Sequence, residues 1–411
     1  MKILIVFPGA LYPITGMSQV RAVNQLKRLA RDHEIALTDI VVRPRQEEEC
    51  LNQLGNLIAW YKPVHAAAYH KSRLFRAVRY VFLRARHLVS SLSMEELTLS
   101  DATVRKQIAV IIRESAPDAV LIHYWYMGYA FDNLNPKTLK MIDTHYLVEE
   151  NLDLLPRYRM SAIYGRRMLR ELRHCFKLQH SYFEKTDLII VNSSRQRAIL
   201  KNSHPDYNVT LTVNGQSLDE LLSYQTEVDE DAILFYGALS NQFNRLALER
   251  VLARIFPVLF KENPALHLYI VGSNPPGDII KRFNHPNITV TGFVQDIRPV
   301  IGMCSLLILP LETGSGFRGR AVEVMALGVP IIGTSNALQS VGIKDGKQGF
   351  LAETDEELLE KTGQILKDKE LRNRMSEACR KFAKDNFSIE ATFGKLSQEI
   401  TEAMKGKVID E

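Results

Sequence analysis

The sequence predicts an α/β fold, and three observations support this prediction. Short runs of Val, Ile and Leu alternate along the chain with longer segments of helical period. The runs are apolar at nearly every residue, as in strands of a parallel sheet that helices cover on both faces. The chain has 411 residues, which at about 150 residues per domain predicts two or three domains.

The apolar runs fall into two sets. In the first half of the chain the predicted strands are Ile3–Phe7, Ile35–Val42, Ala119–Ile122, Leu139–Ile142, Leu188–Val191 and Val209–Val213. In the second half they are Ala232–Tyr236, Leu266–Val271, Ile288–Val290, Leu306–Leu309 and Pro330–Ile332. The two halves therefore look like two versions of one architecture.

A polar, acidic stretch from Ser217 to Asp231 lies between the two sets of strands. We place the domain boundary there, because the strand pattern stops before a new strand begins. The predicted domains are residues 1–216 and 217–387. The tail from Asp355 to about Met404 lacks a strand pattern and predicts three helices, with Ser388 as the N-cap of the last one.

Charge and hydrophobicity exclude several classes of protein. Lys and Arg number 52 against 47 Asp and Glu, and the net charge of +5 is too small for this length to predict nucleic-acid binding. No apolar run reaches the ~18 residues of a membrane-spanning helix, and the opening MKILIVFP is short for a signal-peptide core. The sequence therefore predicts a soluble, cytoplasmic protein.

The residue types that bind metals are not clustered in the sequence. The four cysteines are far apart and form no Cys-x-x-Cys pair, so neither disulfides nor a zinc site is predicted. The one Asp-x-Asp pattern, Asp229–Asp231, precedes a strand inside the acidic stretch, and we interpret it as solvated charge. We expect no metal and no other cofactor.

The segment from Leu309 to Thr334 carries the strongest indication of chemistry. A predicted strand is followed by a loop containing Gly314, Ser315 and Gly316, and a helix begins near Phe317. Glycines let the backbone approach a ligand closely, and the free amides and positive dipole of the helix start attract an anion. The pattern favours a diphosphate at this position.

Charged residues in the same segment extend this hypothesis. Arg318 and Arg320 add two permanent positive charges. Glu323 is the one charged residue of the apolar run Ala321–Ile332, and burying it is costly unless it is hydrogen-bonded. Either Arg320, three residues earlier, forms an ordinary ion pair with it, or the carboxylate accepts hydrogen bonds from the hydroxyls of a bound ribose or sugar.

A longer pattern passes through this segment, and other segments accompany it. The pattern consists of Gly314, Gly316, Arg318, Arg320, Glu323, Met325, Ala326, Gly328 and Pro330. It resembles the nucleotide-sugar signature of the retaining glycosyltransferases of family four, which have the GT-B fold. The family's order of strands and loops is also followed by Phe235–Leu252, Leu266–Pro276 and Ile288–Leu311, and Val213–Gly215 lies where members cross between domains.

The resemblance implies two facing Rossmann-like domains with parallel sheets and an interdomain cleft. It places the nucleotide-sugar donor mainly on the second domain and the acceptor on the first. A C-terminal helix, 388–411, would pack back on the first domain. In such a protein Glu323 would hold the ribose hydroxyls of the donor, and backbone beside Gly292 and Phe293 would line the base pocket.

Two positions depart from the family pattern. Members commonly have a second Glu eight residues before the conserved one, where this chain has Ser315. Many also have Gly-Arg after the first strand of the second domain, whereas Gly237 is followed here by Ala238, and Arg245 is the only nearby cation. A subgroup shares these absences, so we expect Arg318, alone or together with Arg320, to supply the missing charge at the donor diphosphate.

The first domain gives further candidates. Its first strand, loop and helix resemble those of the family, and the amides near Gly16 would either face the donor diphosphate or form a structural turn. His123 closes a predicted strand, at the edge where ligands collect in α/β sheets. It is either a core histidine whose hydrogen bonds are made within the protein or, as the resemblance implies, a contact to the reacting sugar.

His145 and Glu149 follow the next strand and would face the acceptor.

Residues 50–94 contain no acidic residue but many basic and aromatic ones. Basic amphipathic helices with aromatic residues lie on anionic lipid surfaces. The alternative is a solvated helix face beside a core face. Under the first interpretation the protein would be peripheral on the inner face of the membrane.

Together these patterns predict a metal-independent retaining hexosyltransferase that uses a nucleoside-diphosphate sugar. The expected catalytic residues are His123, Arg318 and Glu323. The acceptor would be a growing surface polysaccharide or a lipid-linked glycan. The alternative, which Ser315 and Ala238 favour, is a non-catalytic GT-B subunit that supports a partner glycosyltransferase.

Overall fold

A computed structural model of the chain describes residues 1–41, 43–65, 102–150, 162–273, 277, 281, 283–312 and 319–409. The chain divides into two units. Unit 1 comprises Met1–Gly215 with Thr392–Glu411, and unit 2 comprises Gln216–Ala391. Unit 1 therefore ends one residue before the expected boundary, and the C-terminal return to it begins at Thr392 rather than at residue 388.

Unit 1 is built on a parallel sheet. Its strands are β1 (Lys2–Phe7), β2 (Glu34–Val41), β3 (Trp60–Tyr61), β4 (Val64–His65), β5 (Ala119–His123), β6 (Leu139–Asp143), β7 (Leu188–Val191) and β8 (Val209–Leu211). Seven of them lie in the order β3-β2-β1-β5-β6-β7-β8, and β4 pairs with β2. The strand order reverses between β1 and β5, which makes the carboxyl ends of these two strands the usual position for a ligand.

Helices cover this sheet. They are α1 (Met17–Leu29), α2 (Pro44–Leu54), α3 (Ala102–Ser115), a 3₁₀ helix (Trp125–Asn133), α4 (Ala162–Phe183), α5 (Ser194–Ser203) and the C-terminal α14 (Lys395–Ile409). One buried apolar cluster joins Val6 and Ile122 of the sheet to Ile108 of α3 and Trp125 of the 3₁₀ helix. Burial of these apolar faces holds the strand ends in place.

The C-terminal helix α14 packs on unit 1 through polar contacts. The Ser397 hydroxyl donates to Asp32 Oδ2 at 2.6 Å, and Lys407 Nζ contacts Asp187. In unit 2, just before this helix, the Ser388 hydroxyl accepts a hydrogen bond from the Ala391 amide at 3.1 Å. Ser388 thus acts as the cap that its position in the sequence predicts.

Unit 2 contains a second parallel sheet. Its strands are β9 (Asp229–Tyr236), β10 (His267–Val271), β11 (Ile288–Gly292), β12 (Cys304–Leu309), β13 (Ile331–Gly333) and β14 (Gly349–Leu351). They lie in the order β11-β10-β9-β12-β13-β14. This is the doubly wound order of a Rossmann fold, and it reverses between β9 and β12. The expected ligand position is the carboxyl end of these two central strands.

The helices of unit 2 connect these strands. They are α6 (Asp219–Ser223), α7 (Gln242–Arg250), a π-helical turn (Val251–Ile255), α8 (Phe256–Glu262), α9 (Arg298–Gly302), α10 (Gly319–Ala326), α11 (Ser335–Leu338), α12 (Asp355–Lys367), α13 (Lys369–Phe387) and a second π-helical turn (Glu390–Gly394) that crosses into unit 1. The Thr354 hydroxyl and Glu357 carboxylate form a capping box at the start of α12.

Comparison with the sequence confirms the α/β fold with two parallel sheets. All eleven predicted strands are present. The strands β3, β4 and β14 were not predicted, because two or three residues are too few to form a recognisable apolar run. The position of Asp229–Asp231 before a strand was wrong: these residues begin β9, where the Ser305 hydroxyl donates to the carbonyl oxygens of Asp229 and Glu230.

Among the described residues, no helix combines the length and the apolar character that crossing a bilayer requires.

Candidate functional site

The carboxyl end of β9 places a tyrosine against the isolated carboxylate of α10. Tyr236 is the last residue of β9, and its hydroxyl donates to Glu323 Oε2 at 3.0 Å. The guanidinium of Arg320, one helical turn before Glu323, lies 5.2 Å from the centre of the Tyr236 ring. The three side chains lie at the point where the strand order of unit 2 reverses.

Burial controls the protonation of this pair. It raises the pKa of the Glu323 carboxyl above its ordinary value, although the Tyr236 hydroxyl and Arg320 oppose the shift. Burial and the neighbouring Glu323 carboxylate raise the pKa of Tyr236. The tyrosine therefore remains a hydrogen-bond donor at neutral pH.

The structure gives Glu323 a partner that was not among the two alternatives considered from the sequence, and hydrogen bonds from a bound ribose stay a prediction. Its partner comes from another strand, 87 residues away in sequence, and is the Tyr236 hydroxyl. Arg320 does not form an ion pair with Glu323 in the described part of the chain, but stacks on the tyrosine ring instead. The sequence missed Tyr236 because it ends an apolar strand and resembles an ordinary core residue.

The loop before α10 falls partly outside the description. Five expected donor-site residues, Gly314, Ser315, Gly316, Phe317 and Arg318, lie outside the described residues. The start of α10 itself is described, and the Gln216 side-chain amide donates to the Gly319 carbonyl oxygen at 3.2 Å. The expected contacts of the five loop residues with a diphosphate stay a prediction.

The turn after β9 is held by its own side chains. Asn241 caps α7 by accepting hydrogen bonds from the amides of Phe243 and Asn244. The Asn244 side chain in turn donates to the Ala238 carbonyl oxygen at 2.9 Å. A Cβ on Gly237 would lie 2.9 Å from this side chain, so glycine fits the turn. Arg245, in the first turn of α7, is exposed.

The end of β11 carries the residues expected at the base pocket. Gly292 has φ of +69°, a conformation that favours glycine. The next side chain, Phe293, is 79% exposed. An aromatic ring left in water beside a glycine turn offers a flat surface on which a base can stack.

In unit 1 the carboxyl ends of β5 and β6 bring two histidines and an aspartate together. His123 and Asp143 are paired residues of these adjacent strands. His123 Nδ1 lies 2.9 Å from His145 Nε2. Arg21 of α1 reaches the same position, with its Nε 2.8 Å from Asp143 Oδ2. Arg21 and Asp143 were not identified from the sequence, although each is a charge within an apolar pattern.

Burial keeps both histidines uncharged. It lowers the pKa of His123 to about 4 and that of His145 to about 3, although Asp143 opposes both shifts. Burial would raise the pKa of Asp143, but Arg21 and the two histidines hold it below its ordinary value. At neutral pH the cluster therefore holds an ionised carboxylate, a guanidinium and two neutral rings that share a hydrogen bond.

The donor atoms of His123, Asp143 and His145 all lie within 4.8 Å of one another, so this group has the spacing of metal ligands. The sequence did not show this cluster, because His123 ends β5 whereas Asp143 ends β6 and His145 follows it. Asp143 Oδ1 and His123 Nε2 are buried without a hydrogen-bond partner within the part of the chain described. The Arg21 charge on Asp143 opposes a cation at the same carboxylate, and the ion pair accounts for this aspartate without a metal.

Two other candidates of unit 1 have partners within the protein. The Gly16 amide donates to Gln19 Oε1 at 3.0 Å. Glu149 accepts hydrogen bonds from the Gln179 side chain at 2.8 Å and contacts His180 Nε2 at 3.0 Å. The protein thus already uses the Gly16 amide and the Glu149 carboxylate in internal contacts.

One family profile and one curated protein match part of the sequence. The sequence profile of the family Glycosyl transferases group 1 matches residues 230–368. Spore coat protein SA of Bacillus subtilis is 24% identical over 205 residues, which are 46% of this chain and 52% of that protein. The match thus spans about half the length of this curated relative.

Solved structures extend the likeness to nearly the whole chain. Sucrose-phosphate synthase from Thermosynechococcus elongatus has a TM-score of 0.65 at 14% identity, with 99% of this chain and 100% of that chain covered. Anabaena HepE, solved in complex with UDP, also has a TM-score of 0.65 at 14% identity, with 98% and 100% covered. At this level of identity the structures establish the fold.

Proposed function

We propose that this chain is a retaining, metal-independent hexosyltransferase. It has the GT-B fold, and its residues 230–368 match the sequence profile of the glycosyl transferases group 1 family. Its donor is a nucleoside-diphosphate sugar and its acceptor a hydroxyl group. The observation that carries the proposal is the Tyr236–Glu323 pair at the carboxyl end of β9. A half-buried carboxylate held by a neutral donor suits the hydroxyls of a ribose.

Positive charges in the same unit, of which Arg320 lies beside this pair, support a diphosphate as the neighbouring group. Arg320 is exposed one turn before Glu323, and Arg245 is exposed in the first turn of α7. The sequence adds Arg318. Guanidinium groups bind phosphate oxygens with paired hydrogen bonds. Charge developing on the leaving diphosphate would be stabilised there, by about 3–4 kcal/mol per well-placed donor.

The reaction in this proposal exchanges one bond at the anomeric carbon. The bond from that carbon to the diphosphate oxygen breaks, and a bond to the acceptor oxygen forms on the same face of the sugar. The acceptor proton passes to an oxygen of the leaving diphosphate. The protein's part is to bind, orient and stabilise charge, so the reaction does not require a protein nucleophile.

We assign the acceptor side to unit 1. Its cluster of His123, His145 and Asp143 lies at the carboxyl ends of β5 and β6, and His145 remains partly exposed. Neutral imidazoles both donate and accept hydrogen bonds, which suits sugar hydroxyls. The proposed acceptor is a growing polysaccharide or a lipid-linked glycan. The basic stretch 50–94 would bring the protein to the anionic membrane surface on which this acceptor is held.

The test is a thermal-shift screen of the whole chain against ADP-, GDP- and UDP-sugars, repeated with Glu323→Ala. We expect a specific upward shift in the wild type that Glu323→Ala loses. Glu377→Ala, an exposed glutamate of α13, is the matched control and should keep the shift. No shift with any nucleotide sugar, or equal shifts in all three proteins, would contradict the assigned donor site.

The second candidate is a non-catalytic GT-B subunit, which the departures Ser315 and Ala238 favour. Hydrolysis of the bound donor separates the two candidates. The proposed enzyme should slowly release nucleoside diphosphate from the sugar nucleotide it binds, and faster with acceptor extract. Binding without any release under both conditions would favour the supporting subunit.

A further inference from the structure

We propose that Tyr236 is a positioning residue for nucleoside recognition: through its hydroxyl it fixes the Glu323 carboxylate, and the fixed carboxylate distinguishes a ribose from a 2′-deoxyribose. This inference rests on the donor site proposed above and names its sugar specificity. It is carried by three side chains of unit 2, Tyr236, Glu323 and Arg320.

The backbone of Tyr236 is held by β10, and β12 pairs with β9 two residues earlier. It pairs with Val271 of β10, and the next amide, that of Gly237, donates to the Val271 carbonyl oxygen at 3.0 Å. On the other side of β9, Leu234 pairs with Leu307 of β12. The backbone that carries the Tyr236 ring therefore belongs to a central strand, which is more rigid than a loop.

The Arg320 guanidinium also restrains the Tyr236 ring, because it lies over one face of the ring. The Arg320 guanidinium lies 5.2 Å from the ring centre, within the range of a cation–π contact. The same contact places a positive charge beside the Glu323 carboxylate. The hydroxyl of this restrained ring donates to Glu323 Oε2 at 3.0 Å. This hydrogen bond from a restrained ring would thus hold the Glu323 carboxylate in place for a ligand.

Within the described part of unit 2, the contact with Tyr236 occupies one of the two oxygens of the Glu323 carboxylate. Oε2 is bound to Tyr236, and Oε1 has no hydrogen-bond partner among residues 216–273, 283–312 and 319–391. A ribose presents two adjacent hydroxyls, both able to donate, whereas a 2′-deoxyribose presents one. A carboxylate in a fixed position gains both hydrogen bonds only from the ribose, and the loss of one partner at such a site costs affinity.

The experiment measures the dissociation constants of ADP, GDP and UDP and of their 2′-deoxy counterparts by calorimetry on the full chain. For the nucleotide that binds, we expect the 2′-deoxy form to bind about ten-fold more weakly to the wild type. Tyr236→Phe should reduce this ratio to about two-fold. Tyr269→Phe removes a hydroxyl from the neighbouring strand β10 and should leave the ratio unchanged.

A double-mutant cycle tests whether Tyr236 acts through Glu323. Tyr236→Phe should weaken binding of the ribonucleotide about five-fold in the wild type, and by less than about two-fold in the Glu323→Gln background. A tyrosine that only supports the fold would give the same factor in both backgrounds. Equal factors, or a ratio of ribo to deoxy affinity that Tyr236→Phe does not change, would overturn the inference.

These outcomes are distinct from failure of the donor site itself. If no nucleoside diphosphate binds, or if Glu323→Gln binds as the wild type does, the proposed function fails together with this inference. If the wild type binds and Glu323→Gln does not, while Tyr236→Phe behaves as Tyr269→Phe, the donor site stands and only the role of Tyr236 is refuted.

Discussion

Arg21 and Asp143 form an ion pair that is closed to solvent: Arg21 Nε lies 2.8 Å from Asp143 Oδ2, and the two side chains are 1% and 0% exposed. The same guanidinium donates to Asn214 Oδ1 at 3.0 Å and lies 5.6 Å from the centre of the Phe393 ring. One side chain of α1 thus links the end of β6, the last residues before unit 2 and the C-terminal segment of unit 1.

We expect removal of either charge from this pair to destabilise the protein strongly. Asp143→Asn and Arg21→Met should each cost about 3–5 kcal/mol, because each leaves the other charge buried without its partner. The double variant Arg21→Met, Asp143→Leu should cost less than the sum of the single changes. Urea unfolding measures all three.

The control for this prediction is an exposed ion pair of the same unit. Lys62 Nζ lies 2.9 Å from Glu114 Oε2, but the side chains are 52% and 53% exposed. Glu114→Gln should change the free energy of unfolding by less than about 1 kcal/mol. A loss as large as that of Asp143→Asn would show that burial does not determine the strength of these pairs.

The histidine pair predicts a pH dependence of stability. The pKa of His123 is lowered to about 4 and that of His145 to about 3, from 6.5. Between pH 6.5 and 4 the unfolded chain therefore takes up protons that the folded chain does not, so stability is lost as the pH falls through this window. His145→Gln should reduce the slope by about 1.4 kcal/mol per pH unit.

Asp39 provides the opposite dependence and serves as the reference for this measurement. Burial raises its pKa to about 6 from 3.8, despite hydrogen bonds from the Leu11 amide and the Tyr61 hydroxyl. The folded chain therefore holds this proton over part of the same window, and stability falls as the pH rises from about 4 to about 6. Asp39→Asn should steepen the loss of stability as the pH falls, whereas His145→Gln should reduce it. Equal slopes in these two variants would contradict the assigned pKa shifts.

Gly272 is expected to resist substitution, because a Cβ there would lie 1.8 Å from the Gly237 carbonyl oxygen. The obstacle is backbone, so Gly272→Ala must displace the turn after β9 that positions Tyr236. We expect a loss of about 1–3 kcal/mol in unfolding free energy and weaker binding of nucleoside diphosphate. Gly363→Ala, within α12 and with open space around the Cβ, should instead stabilise by about 0.5–1 kcal/mol.

The basic stretch 50–94 predicts binding to anionic vesicles. The full chain should sediment with vesicles that contain phosphatidylserine but not with neutral ones, and added salt should reverse the binding. Changing Arg79, Arg84 and Arg86 to Glu should abolish it. The same change at Lys261, Lys347 and Lys384, which are exposed in unit 2, should not. Equal sedimentation with neutral and anionic vesicles would remove the proposed membrane contact.

Sequence patterns predicted the strands well because a buried parallel strand must be apolar along its length. The eleven runs of Val, Ile and Leu all became strands. They missed β14, whose residues Gly349–Leu351 form a strand through pairing with β13 rather than through their own composition. Local composition therefore indicates burial, while short edge strands depend on their neighbours.

Expectations for the candidate site depended on how far apart in sequence the partners lie. Glu323 was singled out because a lone carboxylate in an apolar run requires a partner, and that argument needs only local sequence. The partner itself could not be predicted, since Tyr236 and Arg320 are both compatible with it by type. Metal spacing was judged on neighbouring residues, which overlooked the group that β5 and β6 bring together.

By itself the sequence determined the alternation of buried strands and helices, the two sets of strands and the isolated carboxylate in α10. These follow from hydrophobic burial, which acts on each segment separately. Only the tertiary structure decided that Glu323 is held by a tyrosine 87 residues away and that Asp143 is neutralised by an arginine 122 residues away. Hydrogen bonds and ion pairs act over a few ångströms, so their partners are determined by the order in which the strands pair in each sheet.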